Sequence, residues 1–332
     1  MKRTWLRILL LLAVATAILI PAHGLAADKV LNVIAAYNAK DDIFEQFGRD
    51  TGYTVNMLDM SSGEVLARMR AEQGRPLADI WFGGGVDAFI AAKRDGLLER
   101  YVSPEASAIP PKYKDADGYW TGISLVTVDF VVNTERCREM GIPVPQTWEE
   151  ITGPAFKGEI SMSNPSISGT AYFTLYSLLA AKGEAEGWKF FSRLNENIPF
   201  YAKRGSEPPQ RAAMGEAVVG LAPGVWDKLE AQGYPITYVF PADGIPWWPA
   251  PVAIFKDAEH MDAAKALVDW ALSEKGQVYL RGKDPRFPTR IGVAPPPQLK
   301  DVDTSDFIPM DFPTAGKDRK RVVEKWKKEF GQ

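Results

Sequence analysis

Between residues 29 and 98 the hydrophobic period of the chain switches repeatedly between two residues and about 3.6. "KVLNVIAAY" (29–37) is β-branched and alternating, so it reads as a strand. "AKDDIFEQFGRDTG" (39–52) has helical spacing, with Gly52 placed to end it. "YTVNMLD" (53–59) is a second strand, and "SSGEVLARMRAEQG" (61–74) a second helix that Ser61 or Ser62 can cap, with Glu64 near the third position. "ADIWFGGG" (78–85) is a third strand running into glycines, followed by a third helix in "VDAFIAAKRDGLL" (86–98). Parallel strands need helical crossovers, so this order predicts an α/β fold with a helix-covered sheet.

The alternation breaks in Pro-rich sequence and then resumes. "GYWTGISLVTVDFVVNTE" (118–135) is a β-prone run too long for one strand of an ordinary sheet, and it suits a segment passing between two lobes. The α/β pattern restarts after it as helix, short strand, loop, helix and strand. "PITYVFPADGIPWWPAPVAIFK" (235–256) is a second candidate crossover, and "DAEHMDAAKALVDWALSEKGQVYLR" (257–281) reads as an amphipathic helix pair. The expected division is lobe one at 28–125 and 247–332 and lobe two at 126–246. No internal repeat or low-complexity tract interrupts it.

Lys2, Arg3 and Arg7 precede an apolar block from Ile8 to Ile20, and small residues follow to Ala26 and Ala27. That is the form of a secretory signal peptide over 1–26, and the block of about 13 residues is shorter than the ~20 that a membrane-spanning helix needs. The mature chain is expected to be exported to the periplasm. Its loss of three cations takes the formal charge from -3 to -6, which disfavours a general nucleic-acid binder. The basic "KDRKR" and "EKWKKE" near the end read as an exposed amphipathic helix. The single cysteine, Cys137, makes no internal disulfide, and an exported chain of this length can bury enough core without one. His260 is the one histidine outside the signal and is expected at the surface of a helix start. Without a Cys/His cluster or a histidine base, zinc sites and triad hydrolases are disfavoured. No catalytic residue, metal site or cofactor is expected.

"PQTWEEITGPAFKGEISMSNPSISGT" (145–170) resembles the segment P-x-T-W-x-[ED]-[LI]-x-x-P-x-[FY]-K-G-x-I-x-x-x-x-P-x-x-S-G-T of bacterial extracellular solute-binding proteins of ABC importers. "RGSEPPQRAAMGEAVVGLAPG" (204–224) resembles the Ser–x–x–P loop and helix that follow in that family, and "VNTE" (132–135) its post-hinge segment. The group concerned takes ferric iron, thiamine, phosphonates and hexose phosphates. The resemblance covers nearly all the mature chain. It implies the periplasmic binding protein-like type II fold: two lobes, each a mixed sheet flanked by helices, with two crossover strands as hinge and ligand in the cleft. It also implies a monomer that delivers its solute to a permease driven by a cytoplasmic ATPase.

In open α/β sheets ligands sit beyond the carboxyl ends of strands, often at helix N-termini. Four loops qualify: Tyr37 and Asn38; Ser61, Ser62 and Gly63; Gly84 and Gly85; and Ser166, Ser168, Gly169 and Thr170. Each group reads otherwise as an ordinary cap or turn. Arg204 with Ser206 offers a fork for a phosphate or carboxylate, or a solvated charge. Trp226 and Trp248 serve either as cleft walls or as core. In the ferric branch of the family adjacent tyrosines follow the "V-G-L" strand; here that stretch is "VGLAPGVWDK". The expected solute is therefore a small anionic organic molecule: a sugar phosphate, phosphonate or carboxylate. Ferric ion is the alternative; thiamine, a polyamine or an enzymatic role on this scaffold ranks below it.

Overall fold

The computed structural model describes residues 29–72 and 76–331; the signal-peptide reading lies outside them. Strands β1 (Val30–Ala35), β2 (Thr54–Asp59) and β3 (Ile80–Phe82) are parallel, in the order β2-β1-β3. Helices α1 (Lys40–Thr51), α2 (Ser62–Glu72) and α3 (Val86–Arg94) follow them in turn. The alternation in sequence thus becomes the expected parallel unit. Gly52 ends α1 in the left-handed conformation (φ 79°), which an L side chain adopts only with strain.

β4 (Thr121–Asn133) is buried along its whole length. Its first half pairs antiparallel with β9 (Trp247–Ile254), and β9 also pairs with β3. Its second half pairs with β7 (Val219–Pro223) and β8 (Ile236–Val239). β7 continues to β5 (Ile160–Ser163), and β5 to β6 (Tyr201–Ala202), both parallel. A short β10 (Phe287–Pro288) pairs with β4 at Leu125 and Ser124. β4 therefore changes partners at Val128 and carries the chain from one sheet region to the other.

Helices α4 (Thr134–Met140), α5 (Gly169–Lys182), α6 (Glu184–Glu196), α7 (Glu207–Ala213) and α8 (Asp227–Ala231) belong to the central part of the chain. α9 (Met261–Leu272) and α10 (Glu274–Lys283) form the expected helix pair. His260 is not a free surface residue: its Nδ1 lies 2.9 Å from Asp79 Oδ2 and its backbone N–H donates to Asp79 Oδ1. Trp81 is fully buried, stacked on Phe89.

The last helix, α11 (Phe312–Phe330), departs from its expected exposure. Phe312, Ala315, Gly316, Val322 and Trp326 are buried. Gly316 meets Ile90 of α3, where a Cβ would fall 2.5 Å from Ile90 Cγ2. Trp326 sits edge-on against Phe191 of α6 and Tyr201 of β6, and Tyr172 of α5 donates its hydroxyl to Ala315 O. Most of the lysines and arginines that suggest a solvated helix lie on its outer face, but Arg319 turns inward to pair with buried Asp87. No described helix is long and apolar enough to cross a membrane.

Candidate functional site

The loops that follow β1, β2 and β3 converge with the start of α5 and the loop after β6. Between them lies a cavity of about 110 Å³. Tyr37, Asn38, Ser61, Ser62, Gly84, Gly85, Ser168, Gly169, Thr170, Arg204, Ser206 and Trp248 line it, as anticipated. Gly63, Ser166 and Trp226 do not. The Gly63 N–H donates to Ile167 O, and the Ser166 hydroxyl donates to Asn164 Oδ1 at 2.7 Å. Trp226 lines a neighbouring volume of about 520 Å³, whose wall shares Asn38, Lys40, Asp59 and Ser206 with the first.

Two helix N-termini meet in the inner cavity, one from each sheet region. Gly85 stands at the N-cap of α3 and Gly169 is the first residue of α5. Their backbones touch, since a Cβ on Gly169 would lie 2.7 Å from Gly85 Cα. The Ser62 hydroxyl accepts from Gly85 N at 2.8 Å, so it braces the glycine loop instead of capping α2. Glu64 supplies the other arm of the anticipated cap by accepting from Ser61 N. Gly84 (φ 103°) has no room for a side chain, because a Cβ there would fall 2.3 Å from Ser62 Oγ. Its carbonyl accepts from Trp248 Nε1 at 2.9 Å, and Trp248 stacks on Phe173. Trp248 is thus both core and wall. Ser168 caps α5 by accepting from Ala171 N at 3.4 Å, and Ser163 Oγ donates to it at 3.0 Å.

The charged lining was only partly foreseen. Arg204 pairs with Asp59 Oδ2 at 2.5 Å and Lys40 approaches the same oxygen at 3.2 Å. Arg286 completes the set, buried, with its guanidinium carbon 4.2 Å from the centre of the Tyr37 ring. Its Nε lies 2.8 Å from Asp284 Oδ2. Three cations and one carboxylate, Asp59, therefore line the cavity, while Arg286 pairs with Asp284, which is not part of the lining. Tyr37 donates to Ser124 Oγ, and burial pushes its phenol up to about 12, so it stays protonated at neutral pH. Among the described residues no group of three His, Cys, Asp or Glu stands ready for a metal ion. Lys40, Asp59 and Arg286 were missed from the sequence. Lys40 had a signal, since it opens α1 directly after Tyr37 and Asn38; Arg286, in "KDPRFPTR", had none.

The fold is that of a two-lobed periplasmic binding protein, with the cavity lined from both sheet regions. A family model described as bacterial extracellular solute-binding protein matches residues 75–312. The periplasmic binding protein AfuA of Actinobacillus pleuropneumoniae, solved with exogenous fructose-6-phosphate, is 32% identical, with TM-score 0.85 over 91% of this chain and 98% of that one. An uncharacterized protein of Haemophilus influenzae is 32% identical over 96% of each chain. Iron-bound HitA from Pseudomonas aeruginosa shares the fold at TM-score 0.76 and 19% identity, covering 89% of this chain and 98% of that one. The chain belongs to the bacterial extracellular solute-binding protein family, the solute-binding components of ABC importers.

Proposed function

We propose that this protein is exported to the periplasm, where it captures a small anionic organic solute of the sugar-phosphate class and delivers it to an ABC permease. The observation that carries this reading is the wall of the inner cavity, where Lys40, Arg204 and Arg286 stand beside two helix N-termini and Asp59 is the one acidic residue of the lining. Dipole ends and unshared N–H groups favour negative charge, and guanidinium forks suit phosphate oxygens. The likeness to AfuA, which was solved with fructose-6-phosphate, points to the same class. The neighbouring volume leaves room for a body attached to the anionic group. We place the lobes at 28–125 with 247–332 and at 126–246, a division in keeping with the change of partners along β4.

A ligand touching both lobes favours the closed state by the contacts it makes only there. The role is capture without turnover. Titration calorimetry with fructose 6-phosphate tests the reading, alongside native mass spectrometry of protein purified without refolding. Stoichiometric binding with no change in the sugar is expected. Absence of binding to any sugar phosphate, phosphonate or carboxylate would overturn it.

A further inference from the structure

Arg286 is nearly enclosed, with 4% of its side chain exposed; it pairs with one buried carboxylate and its charge acts on a second. Asp284, also buried, is held directly, with Oδ2 2.8 Å from Arg286 Nε and Oδ1 accepting from Asn38 Nδ2 at 3.5 Å. Asp129 comes from β4, just beyond the point where that strand changes partners. It is fully buried, and neither of its oxygens has a hydrogen-bond partner. Ionising both carboxylates beside one guanidinium would leave an uncompensated charge out of contact with water, which is costly. One proton is therefore retained. It belongs on Asp129, which makes no ion pair among the described residues, and not on Asp284, whose Oδ2 lies 2.8 Å from Arg286 Nε, although burial raises the Asp284 carboxyl as well.

We propose that Asp129 is a positioning residue of the anion seat, and that capture of an anion against Arg286 is coupled to uptake of one proton from solvent onto the Asp129 carboxylate. This rests on the reading of the solute as anionic. A bound anion adds a third negative group around one guanidinium, so Asp129 holds its proton more tightly in the loaded protein.

The surroundings of Asp129 support this. Burial pushes it up to about 8, against the opposing influence of the Thr127 hydroxyl and the Arg286 charge. From β7 it faces Ala222, its cross-strand partner, and from β8 the nearby Tyr238, which burial keeps protonated. Tyr37, from the loop after β1, is likewise protonated. Asp227 and Lys228 of α8 act on Asp284.

The sign follows from linkage. Below about pH 7 Asp129 already carries its proton and contributes no pH dependence of its own. Above about 8 the proton must be taken from solvent, and affinity falls by up to about tenfold per pH unit. The second ionisation of a phosphate monoester, near 6, is complete before this window opens.

The experiment is calorimetry with fructose 6-phosphate, and with orthophosphate as a second probe, from pH 7 to 9.5 in two buffers of different ionisation enthalpy. The parent protein should take up close to one proton per anion above pH 8. Asp129→Asn, which imitates the protonated acid, should lose the pH dependence between pH 7 and 9.5. Infrared difference spectra of the ligand-free parent against this variant should show a protonated-carboxyl band that fades as pH rises past about 8. Binding without proton uptake, an unchanged pH profile in the variant, or absence of the band at pH 7 overturns the inference alone. Failure of both probes to bind overturns it together with the anionic reading.

Discussion

Ser168 and Ser166 stand two residues apart and have different fates. The Ser168 oxygen accepts from Ala171 N and from Ser163 Oγ, which leaves its own proton to donate into the cavity. The Ser166 hydroxyl is spent on Asn164 Oδ1. Replacing Ser168 by Ala and Thr170 by Val should weaken fructose 6-phosphate binding about tenfold to several hundredfold, at ~0.5–3 kcal/mol per lost hydrogen bond. The lost cap should lower stability by ~1 kcal/mol. Ser166→Ala should leave affinity unchanged. Calorimetry paired with thermal melts reads both effects, and a melting change without an affinity change would make the hydroxyls caps alone. Asp129 offers a second test at this scale. Its folded pKa lies above its ordinary value, so its contribution to stability is fully present below about pH 4 and is lost as pH rises toward 8. Asp129→Asn should therefore match the parent at pH 4 and melt progressively higher than it between pH 4 and 8.

Among the elements, α11 joins parts of the chain that are distant in sequence. Arg319 donates to Asp87 Oδ2 at 2.7 Å and to Ser166 O at 3.2 Å, and so ties the start of α3 to the loop before α5. Asp87 is fully buried, its other oxygen has no partner, and burial holds its carboxyl above the usual range. Arg319→Met should cost ~3–5 kcal/mol by stranding that carboxylate. Adding Asp87→Asn should recover much of the loss, which urea denaturation would show. Trp326→Ala, by emptying a pocket among Phe191, Tyr201 and Phe330, should cost ~3–5 kcal/mol.

The same elements mark what was legible in the sequence. β1, α1, β2, α2 and α3 could be read because period and caps are local signals. The loops lining the cavity could be read because ligands gather beyond strand ends. The buried face of α11 was hidden by "KDRKR", whose charges, Arg319 apart, report the outer side. Arg286 and Asp129 carry no local mark either. Their meaning comes from β10 and β7 meeting consecutive stretches of β4, a pairing that no sequence spacing announces.

For the whole molecule the expected behaviour is closure on loading. Small-angle scattering should show a smaller radius of gyration with saturating fructose 6-phosphate, and superimposable curves would count against closure. Iron should be a poor cargo. The cavity holds one tyrosine, and its phenol is already hydrogen-bonded and hard to ionise. A tyrosinate-to-iron absorption band at stoichiometric ferric ion would contradict this.

The Arg204–Asp59 pair joins the loop after β6 to the end of β2, with both side chains about 40% exposed. A pair so open to water contributes ~0–1 kcal/mol and is screened by salt. It can change the open-to-closed ratio of the empty protein by only about fivefold. The Gly63–Ile167 backbone bond and the contact of Gly85 with Gly169 join the same regions, so the balance does not rest on this pair. A contact this weak adds little to the work of separating the two loops when a bound solute is released.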